Sequence, residues 1–320
     1  MSCFFIYICL MEKNNKILNG CISFLIGVIF IISGISKIFP IEVFEISLVD
    51  NLWMSWDGAR IVARLLISLE LILGFLLVFQ ISIKNTTYKI CLGLLACFTI
   101  FLVWMLIYKG NDTDCGCFGQ WLPMTPIQSI WKNVLLIGGV LYLLYKNHGW
   151  EIPFQKWVVT FSVVSLTLAV FMINPLEFYN MTPYQEGQKD YKLPLEIVYN
   201  TPGNTPPSVD LRKGKWVIAV LSSRCLHCEI AATKLSVIYQ QNPDIPIFLI
   251  INGKGDVYRK FVEKTRCKPL PQQNFNGKNE FIQLTGMELP SIYFVENGIV
   301  KSKPNADLLD ERDIRDFIDN

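Results

Sequence analysis

The sequence predicts two domains of different fold class: an all-α transmembrane helical bundle, with four helices plus a fifth linking helix, followed by an α/β domain. Composition is the first observation, because 52% of the 320 residues are hydrophobic, only 18% are charged and the mean hydropathy is +0.36. Distribution is the second, because apolar residues concentrate before Asn174 and charged residues after it. One part of the chain suits lipid and the other suits water. The net charge of +2 is too small to indicate a nucleic acid partner.

Five apolar runs are long enough to cross a bilayer, which takes about 17–25 helical residues. They are Ile17–Ile38, Ile61–Ile83, Ile90–Ile107, Ile127–Tyr145 and Trp157–Ile173. We therefore predict a four-helix bundle over 17–146 and a fifth transmembrane helix over 157–173. The N-terminal segment 1–16 holds a shorter apolar run without a basic leader or a cleavage site, and Met11 is an alternative start.

The loop charges predict how the bundle is inserted. One face carries most of the lysines: Lys13, Lys16, Lys84, Lys89, Lys146 and Lys156. The opposite loops carry mainly Lys109 together with the acidic residues Glu42, Glu45, Asp50 and Asp57. Since cytoplasmic loops are enriched in Lys and Arg, the N-terminus is expected inside and the C-terminal domain outside. Three spans precede Cys115 and five precede the C-terminal domain, so both are expected on one face.

A Pro-, Asn- and Gly-rich linker over 174–209 leads into an α/β domain predicted over 195–320. The predicted strands are Trp216–Ser222, Ile245–Ile251, Ser291–Glu296 and Ile299–Ser302, the last two joined by the hairpin signal Asn297-Gly298. Helical spacing is seen in Glu229–Gln240, Val257–Lys264 and Leu308–Ile318. The order β, α, β, α, β, β, α predicts a sheet covered by helices on both faces.

Ten cysteines invite a redox interpretation, but their positions separate them. Five lie in apolar runs, where cysteine behaves as a small hydrophobe: Cys3, Cys9, Cys21, Cys91 and Cys97. Four of the others form two close pairs, Cys115 with Cys117 and Cys225 with Cys228. Cys267 stands alone and is expected to be incidental or an accessory thiol.

Cys225-Leu226-His227-Cys228 follows a predicted strand and opens a predicted helix. At a helix N-terminus the dipole and the free N–H groups stabilise a thiolate at the first cysteine. The second cysteine lies within one turn and can resolve a mixed disulfide. His227 and Arg224 add positive charge that favours the thiolate. The alternatives are a structural disulfide or half of a zinc site, but zinc needs four ligands and the chain has only His148 and His227, so no metal is expected.

The segment Ser222–Ile230, taken with Leu289-Pro290, resembles the thioredoxin family. The resemblance covers roughly residues 195–320 and implies that Pro290, usually cis in this family, faces the cysteine pair. The dipeptide Leu-His differs from the Gly-Pro of cytosolic reductants and looks more like extracytoplasmic disulfide oxidants. Arg224 replaces the usual tryptophan, and Ala219 stands where thioredoxins often keep a buried acid.

A second pair, Cys115 and Cys117, flanks Gly116 at the mouth of the third span. Such a pair can close a small strained ring, because glycine tolerates the required backbone angles, and strained disulfides are labile. This region resembles the MauE branch of the MauE/DoxX-like membrane family over roughly residues 15–146. The residues that carry the resemblance are Gly34, Lys37, Pro40, Glu70, Gly74 and the string Cys115-Gly116-Cys117-Phe118-Gly119. The resemblance implies a role in maturing other proteins, including disulfide formation in an exported amine dehydrogenase.

Ionisable residues within a span are costly to bury and are candidates for function. Arg64 and Glu70 are candidates for a cofactor or quinone site, and Glu70 is expected to pair with Lys132 or with another helix. Lys37 and Arg64 lie near the outer helix ends, where snorkelling to the surface is an equally weighted alternative.

The function predicted is that of a membrane-bound thiol–disulfide oxidoreductase. Electrons would pass between Cys225/Cys228 and Cys115/Cys117, with His227 and Pro290 assisting at the soluble site. The expected partners are the lipid bilayer, exported cysteine-containing client proteins and a membrane quinone as acceptor, and the expected location is the bacterial inner membrane. Three alternatives remain: a reductase running in the opposite direction, a non-catalytic maturation factor or chaperone, and a transporter.

Overall fold

The computed structural model describes residues 2–81, 86–111, 115–119, 122, 124–146, 154–176, 190–286, 288–307 and 309–319. The chain divides into two compact units, Met1–Leu176 and Glu177–Asn320. The described part of the first unit is built from helices, and the second contains a six-stranded sheet. The predicted fold class is therefore confirmed.

The described residues of the first unit form six helices. They are α1 (Ser2–Ile38), α2 (Ile41–Leu52), α3 (Trp56–Val78), α4 (Thr86–Lys109), α5 (Pro126–Lys146) and α6 (Gln155–Ile173). All except α2 are long and apolar enough to cross a membrane, α1 by its segment Ile17–Ile38. At about 1.5 Å per residue, the 12 residues of α2 are too short for a hydrocarbon core of roughly 30 Å. The chain is a multi-pass membrane protein.

The second span begins earlier than predicted, at Trp56 rather than Ile61. Ser55 caps it, since its Oγ accepts a hydrogen bond from the backbone N–H of Gly58 at 3.2 Å. A cap of this kind lets polar residues such as Asp57 occupy the first turn, where hydropathy gives no sign of a helix. The helix α2 is an addition to the predicted elements, because its apolar run is too short to stand out as a span.

The helices α1 and α3 pack closely through small residues. A Cβ atom built on Gly27 would lie 2.7 Å from the carbonyl oxygen of Gly74, and one on Gly74 would lie 2.9 Å from that of Gly27. Small residues let two membrane helices bring their backbones together. Further along the same interface, a Cβ on Gly34 would meet the Leu71 side chain at 2.8 Å and Glu70 Cβ at 3.7 Å. This contact decides which polar side chains of the two helices can meet.

The described residues of the second unit form six strands and five helices. They are β1 (Tyr191–Lys192), α7 (Glu196–Asn200), β2 (Lys215–Ser222), α8 (Leu226–Gln241), β3 (Ile247–Asn252), α9 (Gly255–Thr265), β4 (Gln272–Phe275), α10 (Lys278–Thr285), β5 (Ser291–Glu296), β6 (Ile299–Ser302) and α11 (Glu311–Asp319). The strand order is β1-β6-β5-β2-β3-β4, with β2 parallel to β3 and antiparallel to β5. Every predicted element is present in the predicted order, as β2, α8, β3, α9, β5, β6 and α11, which is the order expected from the thioredoxin resemblance.

The sheet domain begins before residue 195, inside the predicted linker over 174–209. The strand β1 pairs with β6, with Tyr191 opposite Val300, and Leu193 and Val198 are buried in the core under the sheet. A two-residue strand and a five-residue helix are too short to produce a periodic pattern. The composition of this stretch indicates a loop, but Leu193, Leu195 and Val198 are buried in the core.

The last helix begins at Glu311 rather than at Leu308, which lies outside the described residues. Asp310 is fully buried, and its Oδ1 accepts hydrogen bonds from the backbone N–H groups of Arg312 at 2.9 Å and Asp313 at 3.4 Å. Aspartate satisfies the free N–H groups of a helix start in this way. The helix therefore starts after the aspartate and not with the preceding apolar residues.

Candidate functional site

The first thiol pair lies where β2 ends and α8 begins. Cys225 is the N-cap residue of α8, and its Sγ accepts a hydrogen bond from the backbone N–H of Cys228 at 3.3 Å. Cys225 is partly exposed, whereas Cys228 is fully buried one turn into the helix. The site therefore has one sulfur that a client protein can reach and one that waits behind it, which is the arrangement of a nucleophile and a resolving thiol.

The two sulfurs also differ in their electrostatics. Burial raises the pKa of the Cys228 thiol, and the hydrogen bond between this thiol group and that of Cys225 acts in the same direction. Cys228 consequently stays protonated at neutral pH until a mixed disulfide forms on Cys225. The middle of β2 offers no carboxylate to accept that proton, because Ala219 stands there, fully buried.

Pro290 lies at the same edge of the sheet as the cysteine pair. The strands β2 and β5 are antiparallel, with Val220 opposite Ser291, so the residue before Ser291 lies beside the turn that leads from β2 to Cys225. The Leu289-Pro290 peptide bond is cis, as the thioredoxin resemblance implies. Leu289 is 37% exposed and Leu226, within the cysteine motif, is 48% exposed, so this edge carries exposed apolar surface beside the cysteine pair.

His227 and Arg224 are both exposed beside Cys225. Their position is compatible with the predicted role of adding positive charge near the reacting sulfur. Cys267 has a different environment, since it is fully buried after α9 and its Sγ lies 3.9 Å from Gln272 Oε1. Burial raises the pKa of the Cys267 thiol. The structure thus places Cys267 in the core of the domain.

The second thiol pair lies in a tight loop between α4 and α5. Cys115 is buried, its Sγ is 2.9 Å from Ser129 Oγ, and it accepts a hydrogen bond from the backbone N–H of Cys117 at 3.4 Å. The loop requires glycine at two positions, because Gly116 and Gly119 have φ angles of +65° and +54°. A Cβ on Gly119 would lie 2.2 Å from the carbonyl oxygen of Ser36. The loop therefore rests directly on the end of α1.

Lys37 and Glu70 form a buried ion pair beside this loop. Lys37 Nζ lies 2.9 Å from both carboxylate oxygens of Glu70, and the two side chains are 4% and 3% exposed. The same Nζ donates to Ser33 Oγ at 2.6 Å, and Ser33 Oγ donates to the carbonyl oxygen of Cys117 at 3.1 Å. Glu70 thus pairs with Lys37 rather than with Lys132, because the close contact of α1 and α3 at Gly34 brings the two residues together.

Arg64 is also buried and paired, so neither it nor Lys37 snorkels to the surface. Arg64 Nη1 lies 2.6 Å from Glu45 Oε1 on α2. Its Nε and Nη2 donate to the carbonyl oxygens of Asn174 and Pro175 at 2.8 and 3.1 Å. Arg64 therefore caps the end of α6 and fixes the start of the connection to the second unit. Of the two candidate cofactor residues, Glu70 is close to the thiols, whereas Arg64 contacts α2 and the end of α6.

The two thiols of the loop have opposite acid–base tendencies. The hydrogen bond between the two thiol groups lowers the pKa of Cys117, and the ammonium groups of Lys132 and Lys37 lower it further, against the effect of burial. The same hydrogen bond, together with burial, raises the pKa of Cys115. At neutral pH the loop favours one thiolate and one thiol, which is the state from which a dithiol exchanges.

A cavity of about 660 Å³ opens next to this pair. Most of its lining is apolar, and its polar lining residues are Ser33, Lys37, Asn51, Glu70, Lys132 and Asn133 together with Cys115 and Cys117. Both thiols and the ion pair therefore share one cavity inside the membrane unit.

Sequence patterns missed four polar residues around the second thiol pair: the cavity-lining Ser33, Asn51 and Asn133, and Ser129, which contacts Cys115. Ser129 and Asn133 come from α5, and no local motif connects them with the cysteine loop. Ser33 had a detectable signal, because it lies four residues before Lys37 and therefore on the same face of α1. A search for polar residues one helical turn from each intramembrane charge finds it.

The comparisons with known proteins agree with this architecture. Residues 15–146 match the family model described as methylamine utilisation protein MauE. The helical bundle is MauE-like. The match covers less than half of the chain and includes both the Lys37–Glu70 pair and the cysteine loop, so the MauE resemblance expected from the sequence is confirmed.

One relative extends over both units. The chain is 26% identical to protein TlpB of Flavobacterium psychrophilum over 344 residues, which cover 90% of this chain and 91% of the relative. The helical bundle and the α/β domain therefore occur together in another bacterial protein. With two thiol pairs, a MauE-like bundle and this relative, the predicted class of membrane thiol–disulfide oxidoreductase is confirmed.

Three solved structures of bacterial proteins are similar to about a third of the chain. One is the thioredoxin domain of a thiol–disulfide oxidoreductase from Bacteroides vulgatus, at 15% identity and a TM-score of 0.29, covering 33% of this chain and 81% of that one. Another is a thiol:disulfide interchange protein from a Bacteroides species, at 15% identity and a TM-score of 0.29, covering 34% and 76%. The third is a secreted disulfide oxidoreductase of Mycobacterium tuberculosis, at 16% identity and a TM-score of 0.27, covering 33% and 81%.

Proposed function

We propose that the chain forms disulfides in exported proteins by passing electrons from Cys225/Cys228 to Cys115/Cys117. The observation that supports this most is that both pairs join a buried thiol to a more accessible one. A dithiol client would reduce the Cys225–Cys228 disulfide and leave with a disulfide of its own. The reduced pair would then pass two electrons and two protons to the Cys115–Cys117 disulfide, so each step exchanges one disulfide for one dithiol.

The inventory of spans supports a common face for the two pairs. Three candidate spans precede Cys115 and five precede Cys225, and α2 adds no crossing because of its length. The loop charges favour the extracytoplasmic face of a bacterial inner membrane, where disulfides persist. The dipeptide Leu226-His227 between the two cysteines, which resembles that of extracytoplasmic disulfide oxidants, points in the same direction. Together these arguments favour oxidation of clients over their reduction.

The test is the redox state of each pair in growing bacteria, trapped with acid and counted by maleimide mass-tagging. In the wild-type chain we expect both pairs to be oxidised. In Cys115→Ser we expect Cys225 and Cys228 to accumulate as thiols, because the exit for their electrons is gone. Cys21→Ser removes an exposed cysteine outside both pairs and is the matched control. It should behave like the wild type.

Other outcomes identify the alternatives. If Cys225 and Cys228 are thiols in the wild-type chain while Cys115→Ser leaves them oxidised, electrons flow outward and the protein is a reductase. If client maturation continues in both Cys115→Ser and Cys225→Ser, the chain acts as a non-catalytic maturation factor. Cys228→Ser adds a direct readout, since without the resolving thiol we expect the client to remain bound to Cys225 through a mixed disulfide on a non-reducing gel.

A further inference from the structure

The cavity beside the second thiol pair has the properties of a binding site for a lipid-soluble ligand. Its volume of about 660 Å³ falls in the usual range for small-molecule sites, roughly 300–1,000 Å³. Its lining includes Trp53, Ile100 and Trp104, whose side chains are 79%, 70% and 44% exposed on the outside of the helices. Because α4 is a candidate span, the side chains at positions 100 and 104 face lipid. A ligand dissolved in the bilayer can enter without crossing water.

The side chains in the interior of the cavity restrict the chemical class of the ligand further. Phe44, Phe98 and Phe101 offer flat aromatic surface, and the ammonium group of Lys37 lies 5.8 Å from the ring centres of both Phe44 and Phe98. Asn133 is buried in the wall, and its amide donates one hydrogen bond to Thr99 Oγ1 at 3.3 Å. An amide nitrogen carries two hydrogens, so Asn133 can also donate to a ligand oxygen. This lining suits a planar ring that carries carbonyl oxygens.

The position of the two thiols indicates which reaction a bound ligand would undergo. Cys115 and Cys117 line the same cavity, so a bound ring lies next to a dithiol that must lose two electrons at each turnover. The ammonium groups of Lys37 and Lys132 line the cavity as well, and positive charge stabilises an oxygen that gains electron density. An acyl chain of a lipid would fit the apolar walls, but it carries no atom that could accept a hydrogen bond from these polar groups.

We propose that this cavity binds a membrane quinone and reduces it with the Cys115/Cys117 dithiol. The proposal rests on the function proposed above and names its terminal electron acceptor. The dithiol loses two electrons and two protons and closes the S–S bond, while the quinone gains both and leaves as a hydroquinone. Asn133 donates to one carbonyl oxygen, and the ammonium charge of Lys37, held in place by Glu70 and Ser33, stabilises electron density on the ring.

The experiment uses the full-length chain in lipid nanodiscs, reduced with dithiothreitol and desalted. Decylubiquinone is added, and its conversion to the hydroquinone is followed by absorbance while mass spectrometry counts the thiols in the peptide that carries residues 115–119. Cys97→Trp places a large ring in the cavity lining, and Cys21→Trp places the same ring at an exposed position of α1 outside the cavity. We expect Cys97→Trp to slow quinone reduction at least tenfold and Cys21→Trp to leave it within twofold.

A second variant and a direct mapping experiment test the site even if Cys97→Trp does not fold. Asn133→Leu removes the amide and should raise the quinone concentration needed for half-maximal rate several-fold. A photoreactive azidoquinone added to the wild-type chain should label peptides from α2, α4 or α5. Equal rates for the two tryptophan variants, or labelling confined to other helices, would overturn the quinone site.

Thiol exchange measured without quinone separates this inference from the proposed function. The reduced protein is mixed with an oxidised model peptide, and transfer between the two cysteine pairs is counted by mass-tagging. If exchange proceeds and the cavity variants do not affect quinone reduction, the site is wrong and the relay stands. If the two pairs never exchange, the relay itself is wrong, whatever the quinone result.

Discussion

At the residue scale, the second thiol pair depends on charges that its own loop does not supply. Lys37 comes from α1 and Lys132 from α5, and both lower the pKa of Cys117. Lys132 also stacks its ammonium group over the Phe118 ring at 4.5 Å, which holds the charge next to the loop. A substitution of Lys37 would not test its charge alone, because it would also leave the buried Glu70 carboxylate without its ion-pair partner. Lys132 is therefore the better residue to change.

We expect Lys132→Gln to raise the pKa of Cys117, because a neutral amide no longer favours the thiolate. The midpoint of its pH–alkylation curve should move upward by roughly one pH unit, the size typical of a nearby opposite charge. At neutral pH the variant should therefore react more slowly with iodoacetamide. The measurement is labelling of the reduced full-length protein across pH, read by mass spectrometry of the peptide that carries residues 115–119.

The matched control is Lys146→Gln, which removes an exposed lysine at the other end of the same helix. Its midpoint should equal that of the wild type. If Lys132→Gln and Lys146→Gln behave alike, the charge of Lys132 does not reach the thiol, and the reactivity of Cys117 depends on Lys37 and on the hydrogen bonds of its thiol instead.

At the scale of elements, the glycine contacts between α1 and α3 decide the position of the ion pair and of the cysteine loop. Gly27 and Gly74 allow the two backbones to touch, and Gly34 continues the contact towards Glu70. The loop that carries Cys117 rests on α1 at Ser36. A shift of α1 against α3 therefore disturbs the Lys37–Glu70 pair and the thiols at once.

We expect Gly74→Ala to destabilise the membrane unit by about 1–3 kcal/mol, as overpacking of a close contact does. The added methyl group would meet Ile31 Cγ1 at 2.7 Å and the carbonyl oxygen of Gly27 at 2.9 Å. The measurement is thermal unfolding in detergent, followed by a thiol-reactive dye that reports exposure of Cys91, which is fully buried in the helical core.

Gly138→Ala is the control for the substitution itself. Gly138 is also in a membrane helix, and a Cβ there meets nothing within 4 Å. Alanine is the better helix former, so this variant should be neutral or more stable by up to about 1 kcal/mol. Identical unfolding temperatures for the two variants would show that the α1–α3 contact has more room than these distances imply.

At the scale of the whole molecule, the number of crossings links the two thiol pairs. A relay needs both pairs on one side of the bilayer, and an odd number of candidate spans precedes each of them. Lys146, the last residue of α5, is separated from Cys225 by one further candidate span, α6. These positions are expected on opposite sides.

The prediction is that a membrane-impermeant maleimide added to intact cells labels Cys225 after mild reduction. In a chain whose other cysteines are replaced, Lys146→Cys should be labelled only after the membrane is opened. The measurement is gel-shift counting of the two single-cysteine chains with and without permeabilisation. Labelling of both positions in intact cells would mean that α6 does not cross, and the two thiol pairs would then lie on different sides.

Much of this architecture follows from local sequence alone. The bounds of β5 and β6 are as predicted, because Asn297-Gly298 is a strong turn signal between two apolar runs. The spans follow from run length, since only a helix satisfies its backbone groups in lipid. The two thiol pairs are visible as motifs, because exchange chemistry needs two sulfurs a few residues apart.

What the local sequence did not predict has a common cause. Three features depend on residues far apart in the chain. They are the ion pair of Glu70, the contact of Ser129 with Cys115, and the pairing of strand β1. Glu70 is 33 residues from Lys37, and Ser129 is 14 residues from Cys115. Periodicity and motif spacing report on neighbours within a turn or a strand, so they do not reveal such contacts.

By itself, therefore, the sequence determined the fold class, the spans and the positions of the two candidate thiol pairs. Each of these depends on backbone hydrogen bonding, hydrophobic length or spacing within one element. Only the tertiary structure decided that Lys37 forms an ion pair with Glu70 and that the cysteine loop packs on α1. It also decided that the ion pair and the two thiols line one cavity. Those features depend on how closely helices pack, and that distance is set by side chains on two helices at once.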